Sequence, residues 1–195
     1  MLDSLSTRVI LIGGSSHSGK TTLAQCILAR TLAEQRSARL ISTDSLARHP
    51  GRPWRTHPAD IPAHVREHYA SLSVDELVAD VLAHYERLWP HIEEIIAAHL
   101  SEPTSGLLIV EGSALWPDGV DALTQPGIGA VWLTVPDAVF RDRINRSSNF
   151  ARLAVAEQAL VNKFLARTLR YNERMMERVR ALRLPYRNLS DYAHR

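Results

Sequence analysis

The amino-acid sequence predicts an α/β protein with three layers, in which a five-stranded parallel sheet lies between layers of helices and carries an inserted helical region. Two observations lead to this fold class. Short β-branched apolar segments end in glycine or in an acidic residue, as is typical of parallel strands buried on both faces. Helical patterns alternate with these segments, and a strand, a helix and a strand in close succession require a right-handed crossover.

Five segments have the apolar pattern of strands. The sequence predicts these strands at 8–13, 39–43, 106–111, 128–135 and 184–189. The last of them is expected at an edge of the sheet, because Pro185 has no backbone N–H to donate to a neighbouring strand. The other four are expected to be more fully paired.

Apolar residues recur at helical spacing in five further segments. They predict helices at 21–36, 61–69, 74–100, 137–146 and 155–183. Ser73 is placed to cap the third helix, with Glu76 in the capping-box position. Pro90 is expected to kink or restart that helix. Residues 147–150 are expected to be flexible, and Cys26 is expected on the buried face of the first helix.

The composition narrows the class of protein. The 195 residues, 45% of them hydrophobic and 23% charged, suit one globular domain over 1–195. The net charge of +2 is too small to indicate binding to nucleic acid or to an anionic membrane. The single cysteine cannot form an internal disulfide, and no segment has the pattern of a membrane span or a secretion signal. We therefore expect a cytoplasmic protein without nucleic-acid or membrane partners, and a homodimer is left open.

Between the first strand and the first helix lies the sequence Gly-Ser-Ser-His-Ser-Gly-Lys-Thr, residues 14–21. Its glycines permit close backbone approach, and its amides can surround an anion at the start of a helix. The lysine is expected to reach the β- and γ-phosphates of ATP, and the Thr21 hydroxyl to bind Mg²⁺. The predicted nucleotide-binding residues are Gly14, Ser15, Ser16, His17, Ser18, Gly19, Lys20, Thr21 and Thr22.

Two acidic residues follow the second and third predicted strands. Ligands of open α/β sheets bind beyond the carboxyl ends of the strands, which is where Asp44 and Glu111 are expected. One carboxylate beside a magnesium triphosphate can accept the proton of an attacking hydroxyl, and the other can hold the metal directly or through water. We expect Asp44 to be the base and Glu111 to support the metal, although the two roles could be exchanged.

With these residues in place, the sequence resembles small P-loop kinases of the nucleoside-kinase-like group, such as uridine and nicotinamide riboside kinases. The loop 14–21, Asp44 after the second strand and the Val-Glu-Gly sequence at 110–112 match that pattern in order. An arginine-bearing segment after the fourth strand also matches. The residues Ser15-Ser16 and the stretch 42–45 are also similar to chloramphenicol phosphotransferase and related antibiotic-modifying kinases.

The resemblance implies particular roles for residues outside the loop. It implies that Asp44 deprotonates the acceptor hydroxyl, and that arginines of a lid at about 141–152 close over the transferring phosphate. Arg143 and Arg146 are the lid arginines that it implies, together with Lys20 as a catalytic residue. Three other arginines compete for the lid role, namely Arg141, Arg152 and Arg167.

The acceptor is expected to contact the inserted region, residues 46–105, which matches no nucleoside-kinase pattern. Arg52 and Trp54 follow the second strand and Trp116 follows the third, so these three are predicted substrate contacts beside Asp44 and Glu111. Trp132 is predicted to be a core residue, as is Trp89. A nucleoside, a sugar, a cofactor precursor and an antibiotic all stay open as acceptors.

The alternative function is a nucleotide-dependent switch or accessory NTPase without a small-molecule acceptor. Ras-type GTPases read guanine with an Asn-Lys-x-Asp sequence, whereas residues 162–165 read Asn-Lys-Phe-Leu and lie in a predicted helix. The sequence therefore favours an ATP- and magnesium-dependent phosphotransferase that moves the γ-phosphate to a hydroxyl of a small molecule.

Overall fold

The computed structural model of the protein describes residues 7–46, 51–54, 61–123 and 125–192. The strands are Val9–Gly14 (β1), Ala38–Ser42 (β2), Leu107–Glu111 (β3), Ile128–Thr134 (β4) and Tyr186–Asn188 (β5). They form one sheet in the order β2-β3-β1-β4-β5, and every neighbouring pair is parallel. All five predicted strands are confirmed, including β5 at an edge.

Within these described ranges, six α-helices surround the sheet. They are Lys20–Ala33 (α1), Ala63–Ser71 (α2), Val74–Ser101 (α3), Pro117–Ala122 (α4), Asp137–Ser148 (α5) and Val155–Ala181 (α6). Short 3-10 turns follow at Thr43–Ser45, Phe150–Arg152 and Leu189–Tyr192. The sequence patterns predicted every α-helix except the six-residue α4, which begins at a proline. Across the described ranges, no helix combines the length and the apolar character that crossing a membrane requires.

Alternate side chains of the central strand β1 belong to opposite layers. Leu11 packs into a core formed with α3, α4 and α6. Ile12, the next residue, packs into a second core with Ala24 and other residues of α1. All five residues of β3 are buried, as expected for a parallel strand covered on both faces. The predicted three-layer α/β architecture is confirmed.

A third apolar core contains no residue of the five strands. It joins α2, α5 and α6, and Phe164 of α6 lies within it. Trp54, from the chain that follows β2, packs edge-on against the Phe164 ring with 4.8 Å between ring centroids. Tyr69 of α2 is fully buried in the same cluster. This core therefore attaches the segment after β2 to α6.

The long helix α3 differs from prediction at one point. Its start is confirmed, because the Ser73 hydroxyl accepts from the Glu76 amide and the Glu76 carboxylate accepts from the Ser73 amide. Pro90, however, lies inside one continuous helix. Pro90 has no N–H to donate to the Glu86 carbonyl, and both residues lie on the exposed side of the helix, where kinking is not enforced by packing.

Residues 147–150 contain regular structure, because α5 runs to Ser148 and Asn149, in the left-handed conformation, turns the chain into a 3-10 turn. The flexibility expected of this segment stays a prediction, whereas the expectation for Cys26 was wrong. Cys26 is exposed rather than buried. The buried face of α1 contains Ala24, and a residue two positions further along lies about 200° away around the helix axis.

The carboxyl ends of β2 and β3 approach each other closely. Ser42 pairs with Glu111, so that Thr43 and Gly112 are the next residues on the two strands. Gly112 has a φ of +154°, and a Cβ atom added to it would lie 1.7 Å from the Thr43 Oγ1 atom. Only glycine therefore fits here, and its absence of a side chain brings the turn containing Asp44 next to the end of β3.

We predict that Gly112→Ala lowers the free energy of unfolding by about 2 kcal/mol or more, because the added methyl group overlaps the Thr43 side chain. Chemical denaturation measures this. A double-mutant cycle with Thr43→Gly, which removes the overlapping atoms, should recover part of the loss. Strictly additive effects of the two substitutions would contradict the steric explanation.

Candidate active site

The loop 14–21 joins the carboxyl end of β1 to the first residue of α1. Its two glycines have positive φ values, +145° at Gly14 and +104° at Gly19. A Cβ atom on Gly14 would lie 2.6 Å from both the Leu133 carbonyl oxygen and the Ser18 hydroxyl. The loop is thus wrapped tightly against β4, as the glycine spacing predicted.

The N-terminus of α1 is not capped by any side chain that the structure describes. Gly19 occupies the N-cap position, no side chain accepts a hydrogen bond there, and the first turn contains no acidic residue. The first amides of a helix have no acceptor within the helix, and the helix dipole makes this end positive. By contrast, α3 is capped by its own Ser73 and Glu76. The start of α1 therefore presents free donors to an external anion.

Lys20 adds a buried positive charge to this end of the helix. Its side chain is 7% exposed, and its Nζ atom donates to the Ser15 carbonyl oxygen at 2.9 Å. Burial lowers the pKa of Lys20 below its usual value, and the nearby carboxylates of Glu111 and Asp44 oppose this shift only in part. A buried ammonium group in such a place is stabilised by an anionic ligand.

Helix α6 supports the loop from behind. The Ser15 hydroxyl, which is buried, donates to the Thr168 carbonyl oxygen at 3.0 Å. Thr168 itself is buried in the middle of α6. This contact fixes the position of the loop backbone relative to a helix more than 150 residues away in sequence.

His17 stands at the tip of the loop in the left-handed conformation, with a φ of 65°. Its Nε2 atom lies 3.1 Å from the Ser147 hydroxyl, and its carbonyl oxygen accepts from Arg143 Nη1 at 2.8 Å. Burial, with the positive charges of Arg52, Lys20 and Arg143, lowers the pKa of His17 to about 4. The imidazole is therefore neutral at physiological pH.

Glu111 and Thr21 form a pair of oxygen ligands beside Lys20. Glu111 is buried at the end of β3, and the Thr21 hydroxyl donates to its Oε1 atom at 3.2 Å. Oxygen atoms of hydroxyl and carboxylate groups are the ligands that Mg²⁺ prefers. In phosphate sites, Mg²⁺ is held by few protein ligands. The two residues fit the predicted magnesium site.

Asp44 differs from Glu111 in its exposure. It lies in the 3-10 turn directly after β2, where its side chain is exposed. The strand that pairs with the end of β2 is β3, whose last residue is Glu111. Of the two acids, Asp44 is the one that a diffusing acceptor can reach.

Two cavities meet at Asp44. The larger, with a volume of about 680 Å³, is lined by Ser16, His17, Gly19, Lys20, Thr21, Thr22, Leu23, Cys26, Asp44, Arg52, Glu111, Arg143 and Leu189. The smaller, about 170 Å³, is lined by Ser16, Thr43, Asp44, Gly51, Arg52, His84, Tyr85, Leu88, Phe164 and Arg167. Ser16, Asp44 and Arg52 line both. We call these the loop cleft and the inner cavity.

Most predicted nucleotide-binding residues line the loop cleft. The exceptions are Gly14, Ser15 and Ser18, which are buried behind it and shape the loop. The Ser18 hydroxyl has no hydrogen-bond partner within the described ranges.

The predicted lid arginines occupy different positions. Arg143 lines the loop cleft and holds the His17 carbonyl. Arg146, one turn further along α5, is exposed and pairs with Asp142 on the same helix. Arg141 and Arg152 are exposed, whereas Arg167 lies at the inner cavity. In this structure only Arg143 of the two implied lid residues faces the cleft, and the catalytic assignment stays a prediction.

The predicted substrate contacts Arg52, Trp54 and Trp116 lie in different parts of the structure. Arg52 lines both cavities. Trp54 is 3% exposed and lies in the third apolar core, with Arg52 over its ring at 5.8 Å. Trp116 faces a different groove, which it shares with Trp89. Trp132 is buried, as predicted. Arg52 therefore lies at the two cavities, whereas Trp54 is buried and supports Arg52 through its ring.

The sequence analysis did not predict Tyr85 or Arg167 among the residues that face an acceptor. Tyr85 and Arg167 both line the inner cavity. Burial raises the pKa of Tyr85 to about 12, so its hydroxyl stays protonated. A signal for Arg167 was present, because it lies three residues after Phe164 and four before Tyr171 on the buried face of α6. An arginine within an apolar stripe indicates a buried guanidinium.

The sheet order, the loop between β1 and α1, and the acids at the ends of β2 and β3 together define the three-layer fold of P-loop NTPases. This places the protein in a fold class and leaves its substrate open.

Comparison with solved structures finds two proteins with limited similarity to this chain. The chain is similar to a thymidylate kinase from Candida albicans, with a TM-score of 0.43 and 13% identity, covering 94% of this chain and 84% of that one. It is also similar to a gluconokinase from Sinorhizobium meliloti 1021, with a TM-score of 0.37 and 19% identity, covering 95% and 97%. Neither likeness is close enough to assign a substrate. No protein-family model and no curated protein sequence matches the chain.

The lowered pKa of His17 predicts a pH dependence of stability. A histidine in an unfolded chain titrates near 6.5, so between that pH and about 4 the unfolded chain binds more protons than the folded one. The free energy of unfolding should therefore decrease as the pH falls from about 6.5 to about 4.

The matched variant is His17→Asn, because asparagine tolerates the left-handed conformation and does not titrate. The measurement is urea denaturation at several pH values for both proteins. The other eight histidines are common to both, so the difference in pH dependence reports His17. Parallel pH profiles for the two proteins would contradict the assignment.

Proposed function

We propose that the protein is a magnesium-dependent phosphotransferase that moves the γ-phosphate of ATP to a hydroxyl of a small molecule. The observation that carries the proposal is the meeting of the loop cleft and the inner cavity at Asp44. A nucleotide in one and an acceptor in the other would bring a phosphoryl donor, a hydroxyl and a carboxylate together. Such an arrangement serves transfer by positioning the reactants.

The loop cleft suits a triphosphate. The uncapped start of α1 supplies amide donors, and the buried Lys20 supplies a charge that needs an anion. Arg143 and Arg52 line the same cleft, so the positive charges converge on one space. The neutral His17 shapes the tip of the loop without adding charge.

Magnesium would be held by Thr21 and, directly or through water, by Glu111. When bound, the ion neutralises charge on the β- and γ-phosphate oxygens as the transfer proceeds. The buried position of Glu111 keeps its carboxylate beside the Thr21 hydroxyl and away from the acceptor. This supports Glu111 as the residue that serves the metal.

In the transfer itself, the acceptor hydroxyl oxygen forms a bond to the γ-phosphorus while the bond from that phosphorus to the β–γ bridging oxygen breaks. The hydroxyl proton passes to the Asp44 carboxylate, and ADP leaves with the bridging oxygen. Asp44 is exposed at the junction of the two cavities, where it can meet the acceptor. The charge of Arg143 is available to the transferring group.

At a finer level, we propose that the protein belongs with the nucleoside-kinase-like P-loop kinases, of which uridine and nicotinamide riboside kinases are examples. The support is the order of motifs along the chain: the loop, Asp44 after β2, Glu111 at the end of β3 and an arginine-bearing α5 after β4. The experiment that tests the activity is incubation with ATP, Mg²⁺ and a panel of hydroxyl metabolites and antibiotics, followed by mass spectrometry for the gain of one phosphoryl group. ATP hydrolysis that is rapid and indifferent to every acceptor would instead indicate a nucleotide-dependent switch.

We predict that Lys20→Ala lowers kcat/KM by about 10²–10³ or more, because the buried charge that meets the β- and γ-phosphates is lost. Steady-state kinetics with the acceptor found in the panel measures this. Lys163→Ala is the matched control, since Lys163 is the other lysine of the chain and its side chain is only partly buried on α6, and it lines neither cavity. Equal activity of K20A and wild type would contradict the proposed role.

For the base, we predict that Asp44→Asn preserves ATP binding and lowers kcat by about 10²–10⁴, because the amide cannot accept the hydroxyl proton. ATP affinity is measured by calorimetry and transfer by mass spectrometry. Glu111→Gln is the comparison variant, and its loss of activity should be partly restored by raised Mg²⁺. If raised Mg²⁺ restored the activity of D44N but not that of E111Q, the two acids would have exchanged roles.

A further inference from the structure

The inner cavity contains a buried arginine that the transfer reaction does not require. Arg167 lies on the face of α6 that packs into the protein, and it is 8% exposed. Its Nη1 atom donates to the Tyr69 hydroxyl at 2.8 Å, and its guanidinium carbon lies 5.6 Å from the centre of the Phe164 ring. Arg167 lines the cavity, and this hydrogen bond uses only one of the five N–H donors of its guanidinium group.

Arg167 forms no ion pair with any residue that the structure describes. Within the part of the chain that the structure describes, no carboxylate oxygen lies within 4 Å of it. Other arginines of α6 behave differently: Arg170 and Arg174 are more exposed and pair with Asp75. A buried guanidinium without a carboxylate partner is costly, and its planar fork matches a carboxylate or a phosphate group.

The described lining of the inner cavity is positively charged as a whole. It contains one carboxylate, that of Asp44, against the guanidinium groups of Arg52 and Arg167. The cavity is therefore suited to a ligand that carries negative charge away from the hydroxyl that Asp44 would activate.

We propose that the phosphate acceptor is a small hydroxyl compound with an anionic group, a carboxylate or a phosphate monoester, and that Arg167 binds this group. Arg52, at the junction with the loop cleft, contributes a second positive charge. The inference rests on the proposed phosphotransferase function and names the chemical class of its acceptor. Arg167 would thus determine substrate specificity, whereas Asp44 and Lys20 serve the transfer.

Other groups in the cavity suit the polar part of such a molecule. The Thr43 Oγ1 atom is buried and has no hydrogen-bond partner among the described residues. The Tyr85 hydroxyl, kept protonated by burial, is a further donor. A volume of about 170 Å³ is smaller than the roughly 300–1,000 Å³ of pockets for drug-sized ligands, which favours a compact acceptor.

A purely structural role for Arg167 is the competing explanation. The Tyr69 hydroxyl that accepts from Arg167 also donates to the Gly51 carbonyl oxygen at 2.9 Å. Arg167 could therefore serve only to hold Tyr69 and the segment with Arg52. The test must separate loss of this support from loss of anion binding.

The decisive experiment compares matched acceptors. Aldonates of four to six carbons are paired with the alditols of equal length, and sugar monophosphates with their parent sugars, each with ATP and Mg²⁺. We expect kcat/KM for the anionic member of at least one pair to exceed that of the neutral member by about 100-fold. Preference for carboxylates or for phosphates identifies which anion is bound. Equal use of both members in every productive pair would overturn the inference and leave the proposed function standing.

Three variants then test whether Arg167 causes the preference for anionic over neutral acceptors. Arg167→Met removes the charge and should lower the anionic-to-neutral ratio of kcat/KM to within about threefold of one, chiefly through KM. Arg167→Lys keeps the charge without the fork and should retain part of the ratio. Tyr69→Phe removes the hydrogen-bonded support but keeps the guanidinium, so the ratio should persist even if the overall rate falls. If Y69F lost the preference for anionic acceptors while R167M kept it, the role of Arg167 would be structural.

Binding is measured separately so that the inference can be judged without turnover. The protein is saturated with Mg²⁺ and the non-hydrolysable analogue β,γ-imido-ATP, which occupies the loop cleft, and each acceptor pair is titrated by calorimetry. We expect the anionic members to bind and R167M to weaken them about 100-fold. If no compound is phosphorylated but this binding is seen, the proposed function fails while the anion site stands. If neither anionic class binds, the inference is overturned.

Discussion

A concentration of positive charge at the carboxyl end of β1 is the constraint around which the rest of the site is arranged. No described side chain caps the start of α1, and Lys20 is buried beside it, where burial lowers the pKa of Lys20 by more than the carboxylates of Glu111 and Asp44 raise it. The tightly wrapped glycines and the contact of Ser15 with α6 hold the loop in this unfavourable environment. The stability of the surrounding three-layer core allows the loop to be preorganised for an anion instead of collapsing onto its own side chains.

The two acids at neighbouring strand ends gain different properties from their surroundings. Glu111 is buried next to the Thr21 hydroxyl, whereas Asp44 is carried outward by a 3-10 turn. The close approach of Gly112 to Thr43 keeps these positions adjacent. The different exposure of the two acids thus supports different roles, which their residue types alone leave open. The buried acid suits a metal and the exposed acid suits an acceptor.

Local patterns were sufficient for most of the fold. The strands, the loop and the capping box of α3 depend on residues close in sequence, and all were predicted. Cys26 was misplaced because an apolar side chain alone does not say which face of α1 meets the sheet. The positions of Trp54, Trp116 and Arg167 depend on how α6 packs against distant segments, which no local pattern describes. An arginine in an apolar stripe was the one available signal.

Neighbouring residues of α6 touch the two halves of the site. The Thr168 carbonyl accepts from Ser15 of the loop, and Arg167, one residue earlier, lines the inner cavity. A displacement of this turn of α6 would move groups at both compartments. Thermodynamic linkage makes such an effect mutual, so that occupancy of either compartment would alter the affinity of the other by the same factor. The helix is thus a mechanical connection between the two compartments.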